Sequence, residues 1–124
     1  MGRKYRLLII DDNEEILVSL KSFLSKKGYF VVSASSGLDA LKLLEAATDD
    51  FDLVITDLVM PNISGVAITA IIKKQNPAIP VIAITGYGEQ PESLAREAHA
   101  DLVMEKPFKL DKLESYILKL LKKA

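Results

Sequence analysis

The sequence has no cysteine, which excludes disulfides and thiolate metal sites and fits a reducing compartment, so the cytoplasm is the expected location. It has no excess of charge of either sign. With 16 basic and 17 acidic residues the formal net charge is −1, so the long-range field that draws proteins to nucleic acid or anionic membranes is missing. Direct nucleic-acid binding is not expected. No apolar run is long enough for a membrane span or a signal-peptide core, because the first, in MGRKYRLLII, soon meets Asp11 and Asp12. Repeats and low-complexity tracts are also absent. What is present is a chain of 124 residues, 49% apolar, enough to bury one continuous core. One domain over residues 1–124 is expected.

Four short apolar runs stand out, RLLII before Asp11, YFVVSA at 29–34, DLVIT at 52–56 and PVIAIT at 80–85, with a weaker fifth, DLVM, at 101–104. The first, third and fourth place apolar residue after apolar residue instead of alternating, the pattern of parallel strands covered on both faces. Stretches of helical period lie between the runs. Ile16, Leu17, Leu20, Phe23 and Leu24 make one apolar stripe, and Gly28 ends that helix. Ser36 and Asp39 form a capping box for a second helix carrying Leu41, Leu44 and Ala47, and Ser64 caps a third carrying Ala67, Ala70 and Ile71. A weaker fourth helix is expected after Pro91. The last segment sets Leu110, Leu113, Ile117, Leu120 and Leu121 on one face. Alternating β and α elements at this spacing imply parallel pairing through right-handed crossovers, hence an α/β fold of three layers.

In such a sheet ligands gather beyond the carboxyl ends of the strands. There the expected strands lead to Asp11 and Asp12, Asp57, Thr85, and Lys106 followed by Pro107. Three carboxylates brought together repel one another and raise their own pKa values unless a cation neutralises them. Carboxylate oxygens without His or Cys suit a hard divalent ion such as Mg²⁺, which keeps waters and phosphate oxygens among its ligands. Thr85 and Lys106 would offer a hydrogen bond and a positive charge to a phosphoryl group on Asp57, making an aspartyl phosphate the implied species. Each residue also has an ordinary structural reading. Asp12 or Asn13 could cap the first helix, Asp57 could form a turn, Thr85 could end a strand and Lys106 could simply be solvated. Their joint placement at four strand ends favours the site.

With these residues in place the chain resembles, along essentially its whole length, the receiver domain of bacterial two-component response regulators. The motifs that carry the resemblance are LLIIDDNEEI, LVITDLVMPNISG, PVIAITGYG and MEKPF, in that order and in register with the expected strands. The resemblance implies a flavodoxin-like fold, with a five-stranded parallel sheet of order 2-1-3-4-5, five helices and a site at the switch point between strands one and three. It implies that Asp57 is the phosphoacceptor, supplied by a sensor histidine kinase, a phosphotransfer protein or a small phosphodonor. Asp12 would be the direct metal ligand, Asp11 a ligand through water and the backbone carbonyl of Val59 a third contact, with Mg²⁺ as the ion and Mn²⁺ its substitute. Thr85 would close on a phosphoryl oxygen and Lys106 would pair with it, positioned by a cis peptide before Pro107. The phosphoryl group would favour one arrangement of the strand-four and strand-five loops. The signal would leave through the fourth helix, fifth strand and fifth helix, toward a downstream protein or a fused output domain. The same surface is where such receivers pair as homodimers. No enzymatic activity is implied beyond the domain's own phosphoryl transfer and slow dephosphorylation.

Three departures from the family pattern bear on switching. The residue three before the site lysine is usually Tyr or Phe and here is Val103, so switching is expected to rely on Thr85, Gly86, Tyr87 and Gly88, the glycines easing rearrangement. His99 stands where the family commonly has Gly, and is read as a surface residue at a helix end. Val59 and Tyr87 flank the site where many relatives carry polar groups, and are expected to hinder the hydrolytic water. Two rival readings follow. A haloacid-dehalogenase-type phosphatase needs a second Asp two residues after its nucleophile, and Glu14 and Val59 stand there instead. A receiver-like module that acts without phosphorylation is countered by the complete set of site residues. The final helical segment reaches Ala124, so no output domain is expected within these residues, and both a stand-alone receiver and part of a longer regulator or hybrid kinase stay open.

Overall fold

All five apolar runs form strands in a computed structural model, which describes residues 4–47, 51–86 and 99–122. They are β1 (Arg6–Ile10), β2 (Phe30–Ala34), β3 (Leu53–Asp57), β4 (Val81–Thr85) and β5 (Leu102–Glu105), paired in parallel in the order β2-β1-β3-β4-β5. The helices among the described residues are α1 (Glu14–Lys26), α2 (Gly37–Ala47), α3 (Gly65–Gln75) and α4 (Leu110–Lys122). The helix expected after Pro91 lies outside the described residues, so α4 is the C-terminal helix.

The continuous apolar runs are the interior strands. Every residue of β3 and β4 is buried, while the edge strands β2 and β5 are only partly covered. Alternation along each strand divides the core in two. Leu7 and Ile9 of β1 face α1 and α4, where they meet Leu17, Leu20, Leu113 and Ile117. Leu8 and Ile10 face the other way, toward Ala40 and Leu44 of α2 and Ile68 and Ile72 of α3. Both layers are needed: neither face of this sheet could be left in water.

Local signals set the helix ends. Asn13, and not Asp12, caps α1: its side-chain oxygen accepts from the N–H groups of Glu15 and Ile16 at 2.9 and 3.2 Å. Gly28 has φ +99°, and the N–H of Tyr29 closes back on the Leu24 carbonyl at 3.2 Å, satisfying the helix end. The Ser36 hydroxyl accepts from the N–H of Asp39 at 3.1 Å, and that of Ser64 from Ala67 at 3.2 Å. The face expected for α3 is corrected. Ala67 and Ala70 are exposed, and the buried face is Gly65, Ile68, Thr69 and Ile72. Alanine fits water or core equally well, whereas the larger Ile68 and Ile72 gain more by burial, so they decide the rotation. On α2, Leu44 is buried as expected and Ala40 joins it, while Leu41 is half-buried.

A partly exposed clip fastens the far end of the sheet. Lys73 of α3 lies 2.5 Å from an Asp101 carboxylate oxygen and donates to the Ile79 carbonyl at 2.8 Å. The same Asp101 oxygen accepts from the N–H of Val81 at 2.7 Å, so the starts of β4 and β5 are held against α3.

Candidate functional site

At the carboxyl rim the sheet changes direction between β1 and β3, and acidic groups end both strands. Asp11 follows β1 and is 2% exposed; Asp57 is the last residue of β3 and is 5% exposed; Asp12 is exposed. One oxygen from each carboxylate lies within 4.8 Å of the others. Backbone bonds fasten this rim. The N–H of Leu58 donates to Ile84 at 3.0 Å, and that of Lys106 donates to Thr85 at 2.8 Å.

One ammonium serves two of the carboxylates. Lys106 Nζ lies 3.2 Å from Asp11 Oδ2 and donates to Asp57 Oδ2 at 3.3 Å. The remaining oxygens take backbone donors, Asp11 Oδ1 from Asn13 at 2.9 Å and Asp57 Oδ1 from Val59 at 3.2 Å. Among the described residues a single cation stands with three carboxylates, which leaves negative charge in excess. Burial, by disfavouring the charged form, pushes the Asp57 carboxyl above its ordinary value, the Asp11 charge adds to this, and the Val59 N–H and Lys106 only partly offset it. For Lys106, burial pulls the ammonium down, but Asp11 and Asp57 outweigh it and the net shift is upward. The lysine stays charged.

Thr85, at the end of β4, is fully buried, and its hydroxyl oxygen has no hydrogen-bond partner. A buried hydroxyl without a partner, beside an all-oxygen acidic cluster, fits a site built for a divalent cation and an anionic group brought in with it. The Lys106–Pro107 peptide is cis. Beside Lys106 a groove of about 680 Å³ is lined by Ile16 and Leu20 of α1, Gly86, Pro107 and Phe108.

The other residues expected from the sequence to take part in switching are placed as follows. Gly86 lines that groove, Tyr87 and Gly88 lie outside the described residues, and Val103 is half-buried against Leu58, Ala83, Val66 and Ala100. Val59 stands 48% exposed two residues after Asp57. His99 is exposed with φ +63°, a left-handed conformation that favours glycine. Two residues beside Asp57 escaped the reading from sequence. A Cβ on Gly65 would fall 1.8 Å from the Asp57 carbonyl oxygen, so only glycine fits there. Thr56, fully buried, donates its hydroxyl to that same oxygen at 2.9 Å. The glycine closing LVMPNISG was the available signal for the first; nothing in the sequence marked the second.

The family model of the response regulator receiver domain matches residues 7–118. The chain belongs to that family. As a receiver it is similar to a receiver domain protein from Clostridium thermocellum, with TM-score 0.89, 33% identity and 96% and 95% of the two chains covered. It is also similar to the response regulator TrrA from Thermotoga maritima, solved in complex with Mg²⁺-BeF, with TM-score 0.82, 34% identity and 94% and 98% covered. Among curated relatives, the PhoP transcriptional regulatory protein of Bacillus subtilis is 30% identical over 96% of this chain and 49% of its own length. The sensor kinase CckA of Brucella abortus is 31% identical over 94% of this chain and 12% of its own. The receiver thus spans half or less of these relatives. Some relatives carry output domains and others are fused to kinases. The receiver's acidic pocket fits a phosphoacceptor site, and a reading without phosphorylation is not favoured. No helix among the described residues is long and apolar enough to cross a membrane.

Proposed function

We propose that Asp57 accepts a phosphoryl group from a phosphohistidine of a sensor histidine kinase or phosphotransfer protein, or from a small phosphodonor. The observation that carries this reading is the Lys106 ammonium, 3.2 and 3.3 Å from oxygens of two buried carboxylates at neighbouring strand ends. An Asp57 oxygen bonds to phosphorus as the phosphorus–nitrogen bond of the donor imidazole breaks, and the imidazole leaves with the bonding pair. Lys106 remains beside the new group and offsets its charge, and the Thr85 hydroxyl is the donor available to a phosphoryl oxygen. Asp11, Asp12, Asp57 and the backbone carbonyl of Val59 would hold Mg²⁺, or Mn²⁺ in its place. The ion supplies positive charge where the phosphoryl oxygens gather. The groove along α1 and Phe108 gives the donor protein an apolar contact beside Lys106.

Once phosphorylated, the rim of β4 and β5 favours the arrangement in which Thr85 meets the phosphoryl group, with Gly86 and Tyr87 moving and Val103 taking no aromatic swing. The surface of β5, α4 and the helix expected after Pro91 passes that change to a downstream protein or fused output domain, or to a second copy. The domain acts only on itself, by its own phosphoryl transfer and slow dephosphorylation, and its setting is cytoplasmic.

The test is intact mass after incubation with acetyl phosphate, with and without Mg²⁺, on the parent and Asp57→Asn. Addition that needs the ion and is lost in the variant is the expected result. A folded parent that gains no phosphoryl group under any condition, with adduct lability controlled, would overturn the proposal.

A further inference from the structure

We propose that Thr56 is a positioning residue for phosphoryl transfer: its buried hydroxyl holds the Asp57 peptide in the one orientation that aims the Asp57 carboxylate at Lys106. The inference rests on the reading of Asp57 as phosphoacceptor. It begins with an unmet backbone need. Pairing between β1 and β3 ends at Ile10 and Thr56, so the Asp57 carbonyl lies one residue beyond the last pair on that side. A buried carbonyl must find a donor or forfeit a hydrogen bond. On one side Gly65 already packs against this oxygen, so close that a Cβ there would come within 1.8 Å of it. The Thr56 hydroxyl fills the need at 2.9 Å.

The geometry separates this residue from the chemistry. Val54 packs among the α2 and α3 side chains, and Thr56, two residues on, points to that same face. The Asp57 carboxylate points to the opposite face of the strand, so Thr56 acts on it only through the shared peptide. Turning that peptide would carry the next residues with it. The N–H of Val59, which donates to Asp57 Oδ1 at 3.2 Å, belongs to that segment. Without the hydroxyl the Asp57 carbonyl has no hydrogen-bond donor shown among the described residues, the peptide rotates to seek one, and the carboxylate loses its alignment. Gly65 is itself braced, with its carbonyl accepting from the buried Thr69 hydroxyl at 2.8 Å, so compensation from the helix side is blocked.

The test compares Thr56→Val, which keeps the shape and removes the hydroxyl, with Thr56→Ser, which keeps the hydroxyl and removes a buried methyl. Two readouts are taken on the full chain: the Val59 amide resonance in ¹⁵N spectra of the unphosphorylated protein, and the initial rate of phosphoryl uptake from acetyl phosphate with Mg²⁺. Thr56→Val should move the Val59 amide and slow uptake on the order of tenfold. Thr56→Ser should keep both close to the parent while melting lower, so activity and stability rank the two variants in opposite order. A Thr56→Val protein with the parent's Val59 amide overturns the proposal, as does a serine variant whose amide moves as far as that of the valine variant. The amide readout decides the matter even if the parent takes up no phosphoryl group, an outcome that would overturn the assignment of Asp57 instead.

Discussion

Gly65→Ala sets two effects of opposite sign against each other. Gly65 opens α3, and alanine is the better helix former by about 1 kcal/mol in a helix interior, less in a first turn. Against this, the new Cβ would lie 1.8 Å from the Asp57 carbonyl oxygen and 2.7 Å from the Asp57 carbonyl carbon and Leu58 Cα, where real Cβ contacts stay beyond 3.0 Å. All three are backbone atoms, and the oxygen is held by Thr56, so no side-chain rotation relieves the overlap. Overpacking a dense interior costs about 1–3 kcal/mol, and a clash against fixed backbone belongs at the upper end. The clash wins by about 2 kcal/mol, which for a domain of this size lowers the melting temperature by roughly 8 °C. The displaced atom is the backbone of Asp57 itself, so phosphoryl uptake should fall further than stability, on the order of 100-fold for a shift near 1 Å. Far-UV circular dichroism melts and initial uptake rates from acetyl phosphate measure the two effects. A variant that melts with the parent and is phosphorylated at the parent rate would refute the reasoning.

Three further outcomes follow from the geometry. Because Asp57 has a raised pKa in the folded protein, its protonated form is favoured there; that stability is present below the ordinary value of 3.8 and is lost as pH rises through the folded pKa. In metal-free buffer Asp57→Asn should therefore melt above the parent at neutral pH and converge with it in acid, while Mg²⁺ raises the parent's melting temperature more than the variant's; a variant less stable than the parent at pH 7 would refute this. Val59→Asn, at a half-exposed position two residues from Asp57, should hasten loss of the phosphoryl group by offering the attacking water a hydrogen-bonding group, and an unchanged decay rate would remove Val59 from that role. His99→Gly should relieve the left-handed backbone at φ +63° and stabilise the domain by about 0.5–1 kcal/mol, read in thermal or urea melts; an unchanged or lower midpoint would count against strain at that residue.

How much of this could be read in advance varied with the range of the interaction. The strands were legible because burial on both faces demands uninterrupted apolar residues, and β3 and β4 are buried throughout. Helix ends were legible where one side chain or one glycine does the capping, as at Ser64 and Gly28, whereas for α1 the sequence left Asp12 and Asn13 both open and the structure chose Asn13. The rotation of α3 was not, since Ala67 and Ala70 satisfy an apolar stripe without requiring burial. The acidic residues were legible as a set, but which of them is buried was not. Asp11 is enclosed and Asp12, its neighbour, faces solvent, because the chain turns into α1 between them and the helix cap at Asn13.

By itself the sequence determined the kinds of element, their order and the chemistry at each strand end, because hydrophobic period, capping residues and charge act over a few residues. The tertiary structure decided which of those groups meet. Lys106 reaches Asp57 across 49 residues, and the Asp57 carbonyl comes to rest between the Thr56 hydroxyl and Gly65, because the parallel register sets which strand ends lie side by side. Register is settled by the packing of both sheet faces at once, and no local stretch of sequence contains that information.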